Sequence, residues 1–368
     1  MAAITENALK GGGNGVRIYI HPFSMINYGL YYIKGLSDLF PNAEMIFDNK
    51  PFGYIINNRE KYRKGIGVVL QTNYETIKIY IDTNDLNTVD FDFYNWSDVY
   101  AKINVSADDG HLKKLLPIGP SFGINYGSKL KLTYWGLCNF MRIRNNTEYR
   151  VSFREFIGNY IYPFIRRRSF ETYNCDCDED REYIFTLSTL WYDAKTDMTT
   201  NRFRGIFAKE CKKQFPKFEG GFLYLNSPVV TAQFPEYTKY LKLYSDILVS
   251  HRMSMHEYLS KTRRSSFVFN TPSVCGCLGW KLGEYLAMGK AIISTPLGNI
   301  MPGEFTDGKH FIAVNDESEI ASAITFLRNN PQKIDELKKN ARTYFNEYLM
   351  PRKVIERIIN KYISLKAI

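Results

Sequence analysis

Two residues one helical turn apart, Lys281 and Glu284, form the pair in this chain best placed to do chemistry. They sit near the start of residues 280–288, where Leu282, Tyr285, Leu286 and Met288 recur at helical spacing. The residues before them, 271–279, are small and turn-forming, and residues 266–270 are a short apolar run. Gly289 follows the last helical position, where a C-terminal cap needs a positive φ. Residues 291–294 make a second apolar run, closed by Pro296. Strand, loop, helix and strand in this order make a βαβ unit, the building block of parallel sheets. A helix N-terminus attracts anions through its free N–H groups and its dipole, and Lys281 adds a fixed charge there. The combination points to a phosphorylated ligand.

Composition bounds what can surround that unit. A length of 368 residues fits two domains, and 45% hydrophobic residues with 15% aromatic supply packed cores. Charged residues at 23% exclude wholesale disorder. The net charge of +10 favours anionic partners, whether nucleotides, acidic lipid surfaces or nucleic acid. No run approaches the roughly 20 apolar residues of a membrane span. The first residues, MAAITENALKGGGNG, lack the basic start and apolar core of a signal peptide, so the expected location is cytoplasmic. Six cysteines are too few for a disulfide scaffold. Cys175 with Cys177, and Cys275 with Cys277, are spaced by one residue, whereas structural zinc sites use two to four, so no metal is assigned.

The pass along the chain gives two successive α/β series. Residues 16–20 form a first strand, followed by a loop from His21 and a helix at 28–40 that Pro41 ends. Strands are expected at 43–48, 67–70, 76–82 and 98–104, a constrained loop at 113–123, and helix with connector at 129–173. The second series has strands at 182–186 and 221–225 and helices at 200–214, 237–245 and 253–260. The βαβ unit follows, then a strand at 311–314 and helices at 317–329, capped by Asp316, 331–348 and 351–365. The acidic stretch CDCDED marks a linker within 168–180. Two α/β domains in series place a cleft between the carboxyl ends of their sheets, where such folds bind ligands.

Residues 182–348 resemble the donor-binding half of GT-B glycosyltransferases, near the exostosin-like and fucosyltransferase-like groups and the bacterial capsule or lipopolysaccharide transferases. GEYLAMGKAIIST is similar to the transferase phrase E-A-M-A-x-G-x-P-V-V-x-T: Glu284, Ala287, Gly289 and Thr295 match, and Ile292 and Ile293 stand for the valines. Tyr285, Leu286 and Ala291 depart from it, and Gly276 occupies the position of the first acid in the E-x7-E motif of many retaining members. TNRFRGIFAKEC resembles the segment where Asn and Arg open the first donor-domain helix.

That resemblance implies an α/β fold of two facing Rossmann-like domains with a cleft between them. The acceptor-side domain would be 1–172, with the helix 350–368 packing back on it, and the donor-binding domain 173–349. It implies a sugar transferred from a nucleotide-diphosphate donor to a glycan or lipid-linked glycan hydroxyl, in bacterial surface polysaccharide synthesis. No cofactor beyond the co-substrate and no metal is implied. The charge that builds on the leaving diphosphate would be met by Lys281, Arg202 and Arg204, with Arg263 in support. Asn201 is carried over beside them, Glu284 would accept from a ribose or sugar hydroxyl, and Ser273 and Gly276 would let the backbone approach the donor. The Asp90–Asp92 and Asp176–Asp178 pairs are set aside as metal ligands. A general base would come from His21, Asp109 or His111, on loops after strands in the first half.

Each assignment has a plainer counterpart. Lys281 and Glu284 suit an ordinary surface pair, Arg202 and Arg204 solvated helix charges, His21 a satisfied structural histidine, and Asp109 and His111 a polar turn. Arg166, Arg167 and Arg168 close an aromatic run, which reads as a patch for peripheral contact with the inner face of a membrane or as a basic helix end. No nucleic-acid motif is present. The alternatives to a transferase are a glycan- or nucleotide-binding module without turnover and a nucleotide-sugar epimerase of the same fold.

Overall fold

The computed structural model describes residues 15–57, 65–143, 152–174, 180–192, 198–225 and 227–367. The chain divides into two compact units. The first comprises Met1–Thr172, Ile300–Pro302 and Glu347–Ile368, and the second Tyr173–Asn299 and Gly303–Asn346. Of the 168–180 linker expectation, residues 175–179 lie outside the described residues, Asp176, Asp178, Cys175 and Cys177 among them.

In the first unit β1 (Arg17–Ile20) leads to α1 (Ile26–Leu39) and β2 (Glu44–Phe47). Then come β3 (Gly65–Gln71), β4 (Thr76–Asp82), α2 (Phe91–Trp96), β5 (Val99–Lys102) and β6 (Leu115–Pro117), followed by α3 (Lys129–Ile143) and α4 (Phe153–Arg166). The strands form one sheet in the order β2-β1-β3-β4-β5-β6. β3 runs antiparallel to both neighbours, and the other pairs are parallel. The antiparallel strand follows from the tight Thr72–Glu75 connection into β4, too short for a crossover. Ile26, Leu30, Ile33 and Leu36 bury one face of α1.

Two readings of this half change. The Asp90–Asp92 pair is a helix start: Asp90 Oδ1 accepts from the backbone N–H groups of Asp92 and Phe93. The expected loop at 113–123 contains β6, a short edge strand on which Pro117 is tolerated because an edge leaves its missing N–H unneeded.

The second unit opens with β7 (Tyr183–Thr189), α5 (Met198–Gln214), β8 (Lys217–Leu223), α6 (Pro228–Gln233), α7 (Pro235–Leu243) and β9 (Leu248–Val249). It continues with α8 (Met255–Arg264), β10 (Phe267–Asn270), α9 (Trp280–Ala287), β11 (Ala291–Ser294), β12 (Ile312–Ala313), α10 (Glu319–Asn329) and α11 (Pro331–Tyr344). Two parallel three-stranded sheets result, β7-β8-β9 and β10-β11-β12. They adjoin along β7 and β10: Ser266 N–H donates to the Tyr183 carbonyl at 2.9 Å and Phe185 N–H to Ser265 Oγ at 2.9 Å. Read across, the order is β9-β8-β7-β10-β11-β12, the doubly wound 3-2-1-4-5-6 pattern.

The core beneath these strands is aromatic and branched, with Phe207 stacked on Phe269 at 4.4 Å and Ile184, Ile293, Val314, Ile324 and Leu337 around them. β8 starts four residues earlier than its apolar run. Its Gly220 and Gly221 have φ of 101° and 133°, and a Cβ on either would collide with the Thr186 or Ile247 carbonyl, so only glycine lets the chains pair this closely. Ser318 is the N-cap residue of α10 but makes no side-chain cap bond; the Asp316 carboxyl accepts from the Ser318 hydroxyl and N–H and from Glu319 N–H at the helix start, which holds it below the usual carboxylate range.

The last helix, α12 (Pro351–Lys366), belongs to the first unit and packs on α1, where Gly35 leaves room for Pro351 and Ile355. Arg357 donates to the Pro117 carbonyl at 2.7 Å and Tyr362 to Glu75, fastening it to the sheet's ends.

Candidate functional site

The strand order of the second unit reverses between β7 and β10. Connections from those two strands leave in opposite directions, which opens a crevice at their carboxyl ends. β7 ends in Leu187, Ser188 and Thr189 and is followed by α5; β10 ends in Asn270 and is followed by Thr271, Pro272 and α9. Helix starts after both strands therefore point at one place.

Two cations cross over it. Arg204, on the helix after β7, donates from Nε to Thr271 Oγ1 at 2.8 Å, just beyond β10. Lys281, on the helix after β10, donates to the Leu187 carbonyl and to Ser188 Oγ at 3.0 Å, at the end of β7. Burial first, and then the nearby Arg204 charge, lower the Lys281 ammonium to about 7 against the opposing pull of Glu284. Burial likewise brings Arg204 down to about 10. Glu284 is buried, and its Oε2 accepts from Tyr258 Oη at 3.2 Å. The hydroxyls of Tyr258 and Tyr285 are pushed up, by burial first and then by the Glu284 charge. Two half-buried cations beside one buried carboxylate favour an anion between them. α9 also starts without a side-chain cap, its cap residue being Gly279.

The approach loop is shaped by backbone. Cys275 at φ 55° and Gly276 at φ 69° are left-handed, and Asn299 Nδ2 donates to the Gly276 carbonyl at 3.0 Å. Ser273 N–H closes the loop onto the Cys277 carbonyl at 3.1 Å. Beyond β11, on the same carboxyl edge, Thr295 Oγ1 and Asn299 Oδ1 are buried and bond no described residue.

Other expected residues fall differently. Asn201 is fully buried and clamps the loop after β7, donating to the Trp191 carbonyl at 2.7 Å and accepting from Trp191 N–H at 3.1 Å. Arg202 faces outward and pairs with Glu317 at 2.7 Å. Arg263 requires a correction. It lies at the end of α8, before β10, and its carbonyl accepts from the buried Lys290, which precedes β11. That is the amino edge of the sheet, a full strand length away from the crevice. Arg264 shares this edge and pairs with Asp180 at 3.0 Å.

In the first unit His21 follows β1 and is fully buried. Its Nδ1 accepts from Phe23 N–H at 3.2 Å, its ring stacks with Phe23 and meets Phe52 edge-on, and burial lowers it to about 3. It is therefore a neutral imidazole near pH 7. Asp109 and His111 lie in the exposed turn Ala107–His111, started by Ser106 Oγ on Asp108 N–H and closed by His111 Nδ1 on the Asp108 carbonyl at 2.8 Å. At the carboxyl ends of β4 and β5 the sequence reading missed a buried ion pair, Lys102 Nζ to Asp82 Oδ2 at 2.6 Å, joined by Tyr100 Oη at 2.7 Å. Arg166 stacks over Tyr162 at 4.8 Å, and the Arg168 carbonyl accepts from Asn125 N–H.

A family model described as glycosyl transferase-like matches residues 225–360. This stretch is glycosyltransferase-like. It includes α8, the approach loop, Lys281 and Glu284, and ends within α12. No curated protein matches the sequence. Among solved structures, the C-terminal domain of a group 1 glycosyl transferase, LpcC, from Francisella tularensis is 16% identical, covering 48% of this chain and 95% of its own, at a TM-score of 0.33. A glycosyltransferase from Rickettsia africae is 10% identical over 76% of this chain and 68% of its own, at 0.38. WaaG, a glycosyltransferase involved in lipopolysaccharide biosynthesis, is 11% identical over 70% of this chain and 62% of its own, at 0.36. The glycosyltransferase-like assignment rests on the family match, and the α/β character on the parallel sheets.

Proposed function

We propose that the chain moves a sugar from a nucleoside-diphosphate donor to a hydroxyl of a glycan or lipid-linked glycan, in the assembly of a bacterial surface polysaccharide. The observation that carries this reading is the crossed pair Arg204 and Lys281 at the strand reversal, with Glu284 behind them. In transfer the bond between the sugar's anomeric carbon and the phosphate oxygen breaks, and its electron pair goes to the diphosphate. Arg204, Lys281 and the N-terminus of α9 would hold that diphosphate and meet the charge it gains. Glu284 would accept from a donor hydroxyl, and Thr295 Oγ1 and Asn299 Oδ1 offer two more polar atoms on the same edge. Asn201 would act by fixing the loop after β7. The proposal assigns charge neutralisation to these protein cations and needs no cofactor beyond the donor.

The acceptor hydroxyl loses a proton as it attacks. His111 is exposed and Asp109 half-buried, so both remain candidates to take it, whereas the burial of His21 suits it to positioning its loop.

The test is a panel of nucleotide sugars incubated with the protein, with and without oligosaccharide acceptors, following free nucleoside diphosphate. Release that quickens with acceptor supports transfer. Conversion of the donor sugar without release would instead mean an epimerase, and thermal stabilisation without turnover a binding module.

A further inference from the structure

Helix α3 is apolar on two opposite sides. Its inward residues Leu132, Gly136, Asn139 and Ile143 are buried, with Tyr160 of α4 against Gly136 and Asn139 Nδ2 donating to Tyr160 Oη at 3.0 Å. The opposite side repeats the same spacing with Leu130, Tyr134, Leu137 and Met141, which are 84%, 65%, 45% and 52% exposed. Positions i, i+4, i+7 and i+11 hold these four within a stripe about 60° wide. Phe153, at the start of α4 and 52% exposed, meets Phe140 of α3 edge-on at 5.0 Å.

Solvent normally faces charge at such positions, and a row of exposed large apolar side chains marks a surface that something covers. The charges of α3 say what. It carries Lys129, Lys131 and Arg142 and no aspartate or glutamate, within a chain of net charge +10. We propose that α3 is a membrane-surface helix, its Leu130–Tyr134–Leu137–Met141 stripe entering the headgroup boundary of an anionic lipid surface.

Lys129 and Lys131 flank the stripe, and their aliphatic stems suit them to reach headgroup phosphates while the stripe lies deeper. Tyr134 brings an apolar ring with a polar tip, matched to that boundary. No helix among the described residues is long and apolar enough to cross a membrane, so the contact is one of lying on the surface. A second copy docked on the same face about a two-fold axis would bring the lysines of both helices together with no acid on α3 to neutralise them. Arg166 ends α4, the helix packed on α3, and Arg167 and Arg168 follow it directly.

The experiment is co-sedimentation of the full chain with vesicles of phosphatidylcholine alone and of phosphatidylcholine with phosphatidylglycerol. Binding is expected to the anionic vesicles and to weaken at high salt. Leu137→Glu with Met141→Glu should weaken it at least about tenfold, and Lys129→Ala or Lys131→Ala about fivefold each. All four positions are exposed, and unchanged melting temperatures would show the variants folded. Protein left in the supernatant at both lipid compositions would overturn the proposal, as would stripe variants that bind like the parent. A concentration-dependent dimer in sedimentation velocity that Leu137→Glu abolishes, without vesicle binding, would assign the face to a second copy instead.

Discussion

If a diphosphate binds between Arg204 and Lys281, its affinity must depend on pH in a way that Lys281 dictates. In the ligand-free protein burial and Arg204 hold this ammonium at about 7. A bound diphosphate favours the charged form and returns it toward the ordinary lysine value of about 10.4. Below pH ~7 the lysine is already protonated and its contribution to binding is constant. Above it, binding must take up a proton, so affinity falls by up to tenfold per pH unit. Between about pH 6.5 and 8.5 the expected loss is roughly 25-fold. The free protein has the opposite sign: the unfolded chain holds a proton that the folded one has lost, so this lysine makes stability rise with pH between about 7 and 10.4.

Calorimetry with a nucleotide sugar is the assay, because its diphosphate has no proton to lose in this range. Titrations in two buffers of different ionisation enthalpy should show proton uptake of about a quarter per site at the acid end, approaching about one per site at the alkaline end. Lys281→Ala should weaken binding about 10- to 150-fold at the acid end, the worth of one charge-assisted bond, and flatten the profile. Wild-type affinity that is level or rises across this window would refute the reasoning.

Three more outcomes follow from the geometry. Glu284→Gln keeps the side chain's shape but removes its charge, and should weaken donor binding about tenfold or more by calorimetry. Asp82→Asn leaves the fully buried Lys102 uncompensated, and denaturant titration should show a loss of about 3–5 kcal/mol. Gly220→Ala would collide with the Thr186 carbonyl at a φ of 101°, so the variant should melt well below the parent, whereas Gly53→Ala, open at its Cβ position but strained at φ 61°, should cost only about 1–2 kcal/mol.

The βαβ unit around Lys281 and Glu284 was readable because apolar run, small-residue loop, helical spacing and glycine stop all agreed locally. The crossing contacts were not, since Lys281 reaches residues more than 90 positions earlier and Arg204 reaches 67 positions ahead, and no local pattern encodes that. The same blindness placed Arg263 with the site: nearness to β10 in sequence says nothing about which end of the strand it occupies. Asp90 and Asp92 were spaced like metal ligands, yet a cap followed by an acid in the first helical turn has the same spacing. His21 was legible as the residue after β1, but its burial depends on Phe52, 31 residues on, and on the β3 strand whose Gly67 carbonyl accepts its N–H. The outward stripe of α3 was present in the residues and concealed by the inward one, because two apolar faces on one helix blur the amphipathic pattern.

The most direct test is a crystal structure of the full chain with UDP or GDP bound. The account predicts diphosphate oxygens about 3 Å from Lys281 Nζ and the Arg204 guanidinium, at the carboxyl ends of β7 and β10. A nucleotide seated elsewhere, with both side chains still bonded to Ser188 and Thr271 as in the free protein, would contradict it.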